Sequence, residues 1–433
     1  MIFSKTLGLK KDESSRLIFS ALYFFFVLAA YYILRPIRDQ AAVAGGVRNI
    51  PWLFTATLTA MLLVNPLFSA LVVRFTRKHF IPISYRFFTL NILVFFFIFL
   101  CCNPHETVWA GRIFYIWTSV FNLFVVSIFW AFMADTFSTE DGKRLFGLIA
   151  VGGTAGGIAG SFLTATLSEI LGPVYLLLIS VLFLEASVQC FKKLLKQETL
   201  REQAGKSETS LNTSTAAGYP GNSVKKPLGG KITAGISNVV KSAYLSGIGG
   251  FILLYTVLST FLYFQQAQLF EIHFTTAAAR TAAFARVDLA VNTLTLLTQL
   301  FLTGKIIRKF GVGLSLALLP LICFAGFLWM SFAPGIIALI ILQVMRRSSN
   351  YAVSRPARET LFTVLSRENK YKAKSFIDTF VYRLGDQVGA WSWAALSALG
   401  LGITGISTVA VPISAIWLGV ALWLGKRMKK MRS

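Results

Sequence analysis

Histidine, cysteine and acidic residues are scarce in this chain, and each shortage excludes a class of protein. The sequence holds three histidines, four cysteines and 18 acidic residues among 433 positions. The cysteines lie in or beside apolar runs, where they form neither a disulfide framework nor a metal-ligand spacing. Because the histidines are also widely scattered, we expect neither a metal site nor a bound cofactor.

Charged residues of either sign are few, since they make up 14% of the chain while hydrophobic residues make up 55%. A soluble protein carries about a quarter charged residues. The mean hydropathy is +0.66, and apolar runs of about 20 residues recur from end to end, each able to cross a bilayer. The alternating segments of membrane β-barrels are absent. The sequence therefore predicts an all-α, multi-pass membrane protein embedded in the lipid bilayer.

Twelve apolar spans can be placed, including a tenth over residues 335–349 and an eleventh over 371–399. Lysine and arginine concentrate in the segments on one side, whereas the loops on the other side hold only Arg48, Arg280 and Arg286. By the positive-inside rule, both termini are cytoplasmic, in a cell (inner) membrane. The same asymmetry accounts for the net charge of +24 without a nucleic-acid partner. We expect a monomer.

Composition changes sharply between residues 192 and 242, where Ser, Thr, Gly and Lys replace the large apolar residues. Such a segment buries too little surface to offset the entropy cost of ordering it. We therefore predict a flexible cytoplasmic linker there. It separates an N-terminal six-helix half, residues 1–191, from a C-terminal six-helix half, residues 243–433.

The two halves resemble each other in sequence. One match, at an offset of 231 positions, pairs Arg74, Arg77 and Lys78 with Lys305, Arg308 and Lys309. Another, at an offset of 228 positions, pairs Ser138, Glu140, Arg144 and Gly157 with Ser366, Glu368, Lys372 and Gly385. Two six-helix pseudo-repeats joined by a long linker are typical of the major facilitator architecture, in which the site lies near the membrane midplane.

The eleventh span carries charges that an apolar helix would exclude. If it enters the bilayer near Lys370, Arg383 lies about 20 Å deep. A charge at that depth should face a watery cavity or a counter-ion, and a structural ion pair is the alternative. The candidate residues of this span are Lys374, Asp378, Arg383 and Asp386.

The first span carries a second charged group, in the motif YYILRPIRD at residues 31–39. Arg35 and Arg38 share one helical face, and Asp39 is four residues from Arg35, close enough to pair with it. The planar fork of arginine suits phosphate or carboxylate recognition. The alternative is that these residues mark the outer end of the span and reach to the membrane interface.

Five glycines lie between residues 148 and 161. A phosphate-binding loop would need a preceding strand and a Gly-Lys-Ser/Thr ending, and the sequence has neither. Glycines four residues apart in an apolar helix instead allow another helix to approach closely. We therefore interpret this stretch as a packing surface.

Three stretches resemble the ATP/ADP translocase-like nucleotide transporters of plastids and obligate intracellular bacteria. These are the 31–39 motif, residues 129–153, and a pattern over residues 351–390. The resemblance implies uptake or exchange of nucleotides, with basic residues meeting the phosphates. The basic position of the first motif falls on Arg38, and the late lysine and aspartate fall on Lys374 and Asp378. The acidic residues that exchangers carry in spans four and seven correspond to Thr118 and Tyr263, a departure that leaves room for another anionic cargo.

We therefore predict a secondary active transporter that moves an anionic solute, a nucleotide in the first place, by alternating access. The runner-up is a major facilitator-type symporter or exporter of a carboxylate or a siderophore-like compound. A membrane enzyme is disfavoured because the histidines have no obvious partners, and a receptor or scaffold is disfavoured by the repeats and the charges within spans. The predicted substrate-binding residues are Arg35, Arg38, Asp39, Lys374, Asp378, Arg383 and Asp386, the aspartates serving as counter-charges or coupling groups.

Overall fold

Every regular element is helical in the computed structural model, which describes residues 11–74, 76–211, 239–365, 373–374 and 376–432. Its α-helices are, in chain order, α1 Lys11–Ala44, α2 Ile50–Arg74, α3 Arg77–Cys101, α4 Pro104–Thr136, α5 Thr139–Leu171, α6 Pro173–Leu211, α7 Ala243–His273, α8 Ala277–Phe301, α9 Thr303–Phe332, α10 Ile336–Ser349, α11 Arg355–Leu361, α12 Tyr382–Ala398 and α13 Ile403–Arg432.

Because a π-helical turn, Asn350–Ser354, joins α10 and α11 into one, the helices of the described residues make twelve segments, the number of spans that the sequence predicts. Within the described residues, nine helices are both long and apolar enough to cross a bilayer. The other three spans are α8, the α10–α11 pair and α12, which carry charges in their interiors or are interrupted. The prediction of an all-α membrane protein is confirmed.

The stretch that begins at Tyr351 is helical to Leu361, so the helix continues past residue 349, where we predicted the tenth span to end. Pro356 has no N–H to donate to the preceding turn, and the carbonyl of Ala352, four residues earlier, instead accepts from the hydroxyl of Thr303 at 2.8 Å. The π-helical turn adds a residue to the helix and re-aims the side chains that follow. The basic residues Arg355 and Arg358 therefore lie on a continuous helix.

Helix α6 extends to Leu211, well into the segment for which we predicted a linker. Residues 212–238 lie outside the described part of the chain, as do residues 366–372, which contain part of the second repeat match. The domain limits therefore stay predictions. We refer below to α1–α6 as the first half and to α7–α13 as the second half.

Two apolar clusters hold the bundle together. One is formed by α1 and α3–α6, and the other by α7–α13. The second cluster also takes in Ile50 and Leu53, at the start of α2. Helix α2 packs on α12, and α5 and α1 both pack on α8. The halves therefore meet along these helices, and a cavity lies between them.

One helix pair in each half approaches closely through glycine, α5 on α1 and α12 on α7. A Cβ atom on any of these glycines would collide with the facing helix. The pairs are Gly156 with Phe25, Gly160 with Ala29, Gly385 with Thr256 and Gly389 with Thr260. The contacted residues on α1 and their counterparts on α7 are 231 positions apart in the sequence. The glycines on α5 and their counterparts on α12 are 229 positions apart. The repeated packing agrees with the pseudo-repeats and confirms that the glycines of α5 serve helix packing.

We predict that Gly156→Ala lowers the thermal unfolding midpoint in detergent, because the added Cβ meets the carbonyl oxygen of Phe25. Overpacking of this kind costs about 1–3 kcal/mol. The matched control is Gly147→Ala in the same helix, where a Cβ has nothing within 4 Å. Equal midpoints for the two variants would show that the glycine contact is not a packing constraint.

Candidate functional site

A cavity of about 870 Å³ lies between the two halves and is lined by both of them. Its charged lining consists of arginine and aspartate. The arginines are Arg35, Arg38, Arg346, Arg347, Arg355, Arg358 and Arg383. The aspartates are Asp39, Asp288, Asp378 and Asp386. Among the described lining residues, the arginines exceed the aspartates by three, so the cavity is cationic.

Asp288 is the centre of an ion network that joins the halves. Its Oδ1 atom lies 2.6 Å from Nη2 of Arg347 and 3.3 Å from Nη1 of Arg35. The Asp288 side chain is only 4% exposed. Arg35 belongs to α1 and Arg347 to α10, so a single carboxylate oxygen, carried by α8, lies between guanidinium groups from the two halves.

Asp39 forms a second junction, one residue beyond Arg38. The Nε and Nη2 atoms of Arg38 donate to Oδ1 of Asp39 at 2.9 and 2.6 Å. The hydroxyl of Tyr263, from the second half, donates to the same oxygen at 3.2 Å. Arg35 approaches the other carboxylate oxygen at 3.9 Å, and the guanidinium of Arg38 lies over the ring of Tyr115.

Two arginines of the second half face neutral partners. Arg346 is buried, and its guanidinium donates to Ser259 and to Gln343, both at 2.7 Å. Arg355 lies over the ring of Tyr351, with its guanidinium carbon 4.7 Å from the ring centre. Within the described residues, neither of these arginines has a carboxylate at ion-pair distance. Their charge is therefore available to an anionic ligand.

Nearer the chain ends, the cavity is lined by residues of α11 and of the turn before α12. Arg358 lies 3.5 Å from Asp378, and Arg383 lies 3.6 Å from Asp386. Lys374 forms an ion pair with Glu359 and does not line the cavity. The structure thus brings six of the seven predicted site residues into one cavity and leaves Lys374 outside its lining.

Sequence reasoning missed Asp288, Arg346, Arg347 and Arg355 as site residues. Asp288 gave a usable signal, because it is the lone acidic residue of α8, and an ionisable group within a span is a functional candidate by default. Arg346 and Arg347 gave the same signal, because they lie within the predicted tenth span, residues 335–349, but they were counted with the basic residues on the cytoplasmic side. Arg355 gave none, because it lies beyond that span.

The cavity is polarised across its width. The described lining residues of α2 and α4 are uncharged, whereas α10, α11 and α12 supply five arginines. The uncharged wall combines apolar side chains with amides and hydroxyls, among them Leu58, Met61, Asn65, Ser119 and Asn122. Such a cavity suits a ligand with one anionic end and one neutral end that can form hydrogen bonds.

The two halves are tied together on the side of the bundle opposite the chain ends, which we call the far side. Glu169, at the end of α5, pairs with Arg286, near the start of α8, at 2.9 Å. The hydroxyl of Thr55 lies 2.9 Å from Oε1 of Gln387 and accepts from Trp391 at 3.2 Å. These contacts join the halves on the far side.

Comparison with known proteins agrees with this architecture. The sequence model of a family described as TLC ATP/ADP transporter matches residues 105–429. ADP,ATP carrier protein 2 of Chlamydia pneumoniae is 23% identical over 215 residues, a region that covers 44% of this chain and 40% of that protein. The present chain thus spans less than half of that relative's length in the alignment.

Two solved structures share the fold at low sequence identity. A bacterial homolog of the human lysosomal transporter Spinster, inward-facing and unoccupied, matches with a TM-score of 0.56 and 12% identity, covering 98% of each chain. The nucleoside transporter NupG matches with a TM-score of 0.54 and 13% identity over 98% of this chain and all of its own. The prediction of a major facilitator-like fold is confirmed.

We predict that Arg347→Gln lowers the thermal unfolding midpoint strongly, because it removes the nearest partner of a buried carboxylate. Breaking a buried pair costs about 3 kcal/mol or more. The double variant Arg347→Gln/Asp288→Asn should regain most of that loss. The exposed pair Arg86–Glu185 is the control, since breaking it costs about 1 kcal/mol or less. Additive effects of Arg347→Gln and Asp288→Asn would contradict the predicted coupling.

Proposed function

The chain belongs to the TLC ATP/ADP transporter family, and on that premise we propose that it transports a nucleotide bound in the central cavity. Membership confirms the family that the sequence resembled and places the protein among transporters rather than enzymes. The observation that carries the proposal is the excess of arginine in a buried cavity between two halves. Leaving that excess uncompensated in an apolar bundle is costly, so an anionic cargo stabilises the site.

The polarity of the cavity orients the proposed substrate. The phosphates face α10 and α11, where Arg346, Arg347 and Arg355 provide the planar donors that bind phosphate oxygens in pairs. The base and sugar face the uncharged wall of α2 and α4. There, Asn122 and Ser119 offer hydrogen-bonding groups.

We further propose that the halves rock around this site in alternating access. Far-side contacts between the halves support a state open only towards the chain ends. By the positive-inside rule that side is cytoplasmic. We place the protein in an inner membrane, where it acts as a monomer. The cargo would then exchange with the cytoplasm in the state described here, and opening the far side requires the Glu169–Arg286 pair to break.

The departures from the exchangers have a structural counterpart. Thr118 is buried and its hydroxyl donates to the carbonyl of Phe114 at 2.7 Å, so it is satisfied within its own helix. Tyr263 instead reaches Asp39 across the halves. The carboxylate of Asp39, on α1, thus places a negative charge beside Tyr263, on α7. This arrangement leaves nucleotide uptake and ATP/ADP exchange both open as modes, with transport of another anionic metabolite as the alternative.

We predict that purified protein in proteoliposomes accumulates labelled ADP or ATP, and that inorganic pyrophosphate competes with this uptake. Arg346→Gln should weaken half-saturation about tenfold or more, because a charged hydrogen bond of about 1.5–3 kcal/mol is lost. Arg86→Gln, on the surface, serves as the control. Uptake of carboxylates with no uptake or exchange of any nucleotide would replace the proposal with the anionic-metabolite alternative.

We also predict that Asn122→Ala reduces discrimination between nucleotides with different bases while leaving competition by inorganic pyrophosphate unchanged. The reason is that Asn122 lies on the wall assigned to the base, away from the arginines of α10 and α11. Asn91→Ala is the matched control, because Asn91 lies on α3 outside the cavity and donates to the carbonyl of Phe87. Weaker pyrophosphate binding in Asn122→Ala would contradict the proposed orientation.

A further inference from the structure

We propose that Asp288 is a mobile counter-ion whose carboxylate occupies, in the empty cavity, the position that a phosphate oxygen of the substrate takes on binding. The inference rests on the proposed function for the identity of the substrate. The exchange of partners itself requires only that the ligand carry an anionic oxygen. The single oxygen Oδ1 lies between Nη1 of Arg35 and Nη2 of Arg347, which is how one phosphate oxygen is held by two guanidinium groups.

The geometry explains why an anion has to fill this place. Arg35 and Arg347 both point at one spot, from opposite halves, in a nearly dry environment. Two guanidinium groups converging without an anion would repel each other. Asp288 supplies that anion. An incoming phosphate offers the same oxygen geometry with more charge, and it competes for both donors.

A displaced carboxylate needs another donor, and the next turn of α8 provides one. Asn292 follows Asp288 by four residues, so the two side chains are neighbours on one helical face. The Asn292 side chain is 94% buried, since its relative exposure is 6%. Its Nδ2 atom has no hydrogen-bond partner among the described residues. Leaving a buried amide donor of this kind without a partner is costly. It can donate to the Asp288 carboxylate once the substrate phosphate binds the two arginines.

Asp288 therefore has two resting places, the arginine pair when the cavity is empty and the amide of Asn292 when it is loaded. Return of the carboxylate to Arg35 and Arg347 assists release of the substrate. The carboxylate thus lowers affinity and speeds turnover. Asp288 is thus a positioning residue for transport. Its loss should tighten substrate binding and lower the maximal transport rate.

The test compares Asp288→Asn with the wild-type protein, with ADP and inorganic pyrophosphate as probes. We expect both to bind about tenfold tighter or better, because their competitor has been removed. In proteoliposomes, half-saturation should occur at lower ADP concentration while the maximal rate falls. The control Glu185→Gln removes an exposed ion pair, with Arg86, that lies outside the cavity, and should leave pyrophosphate affinity unchanged. Unchanged or weaker pyrophosphate binding by Asp288→Asn overturns the proposal.

A second variant covers the case in which Asp288→Asn is unstable when empty. If it is recovered only in the presence of pyrophosphate, the proposal is supported; if pyrophosphate does not rescue it, the proposal is overturned. Asn292→Leu keeps Asp288 and should bind pyrophosphate about fivefold weaker or worse; unchanged affinity overturns the role of Asn292. Tighter pyrophosphate binding by Asp288→Asn with no ADP binding by any variant would support the counter-ion role and reject the nucleotide.

Discussion

The structure depends on compensating charges that an apolar bundle would otherwise exclude. Asp288 links Arg35 of the first half to Arg347 of the second, and Asp39 links Arg38 to Tyr263. A charge at membrane depth that faces lipid is costly, whereas one that faces a counter-ion or a watery cavity is tolerated. The requirement to hold these groups together therefore fixes which faces of α1, α7, α8 and α10 point inwards. The cavity is the space that this arrangement leaves.

The same requirement explains why three spans are less apolar than the other nine. Helix α8 carries Asp288, α10 carries Arg346 and Arg347, and α12 carries Arg383 and Asp386. Each of these residues lines the cavity. Low hydropathy in a span is thus the signature of a position in the bundle. It is not a sign that the helix leaves the membrane.

Much of this could be predicted from the sequence, because apolar length and isolated charge are local signals. The twelve spans follow from runs of about 20 residues, and the cavity positions of Arg35, Arg38 and Asp39 follow from charges within such a run. The continuation of the tenth span through the π-helical turn to Leu361 could not be predicted, because hydropathy falls at Arg346. Lys374 was predicted to bind substrate but pairs with Glu359 outside the cavity, and that pairing depends on the fold of α11. Which charges meet across the halves is a tertiary property.

The pseudo-repeats are equivalent in packing and unequal in charge. The offset of 231 positions that relates the α1 and α7 glycine contacts also pairs Arg35 with Gln266, Thr57 with Asp288 and Tyr115 with Arg346. All six of these residues line the cavity, yet only one of each pair is charged. Rocking of two halves needs matched packing, because both must slide and seal in the same way. Binding a cargo with one anionic end and one neutral end needs unmatched walls. The repeat is therefore kept at the helix contacts and abandoned at the lining positions, as the proposed cargo, with its two unlike ends, requires.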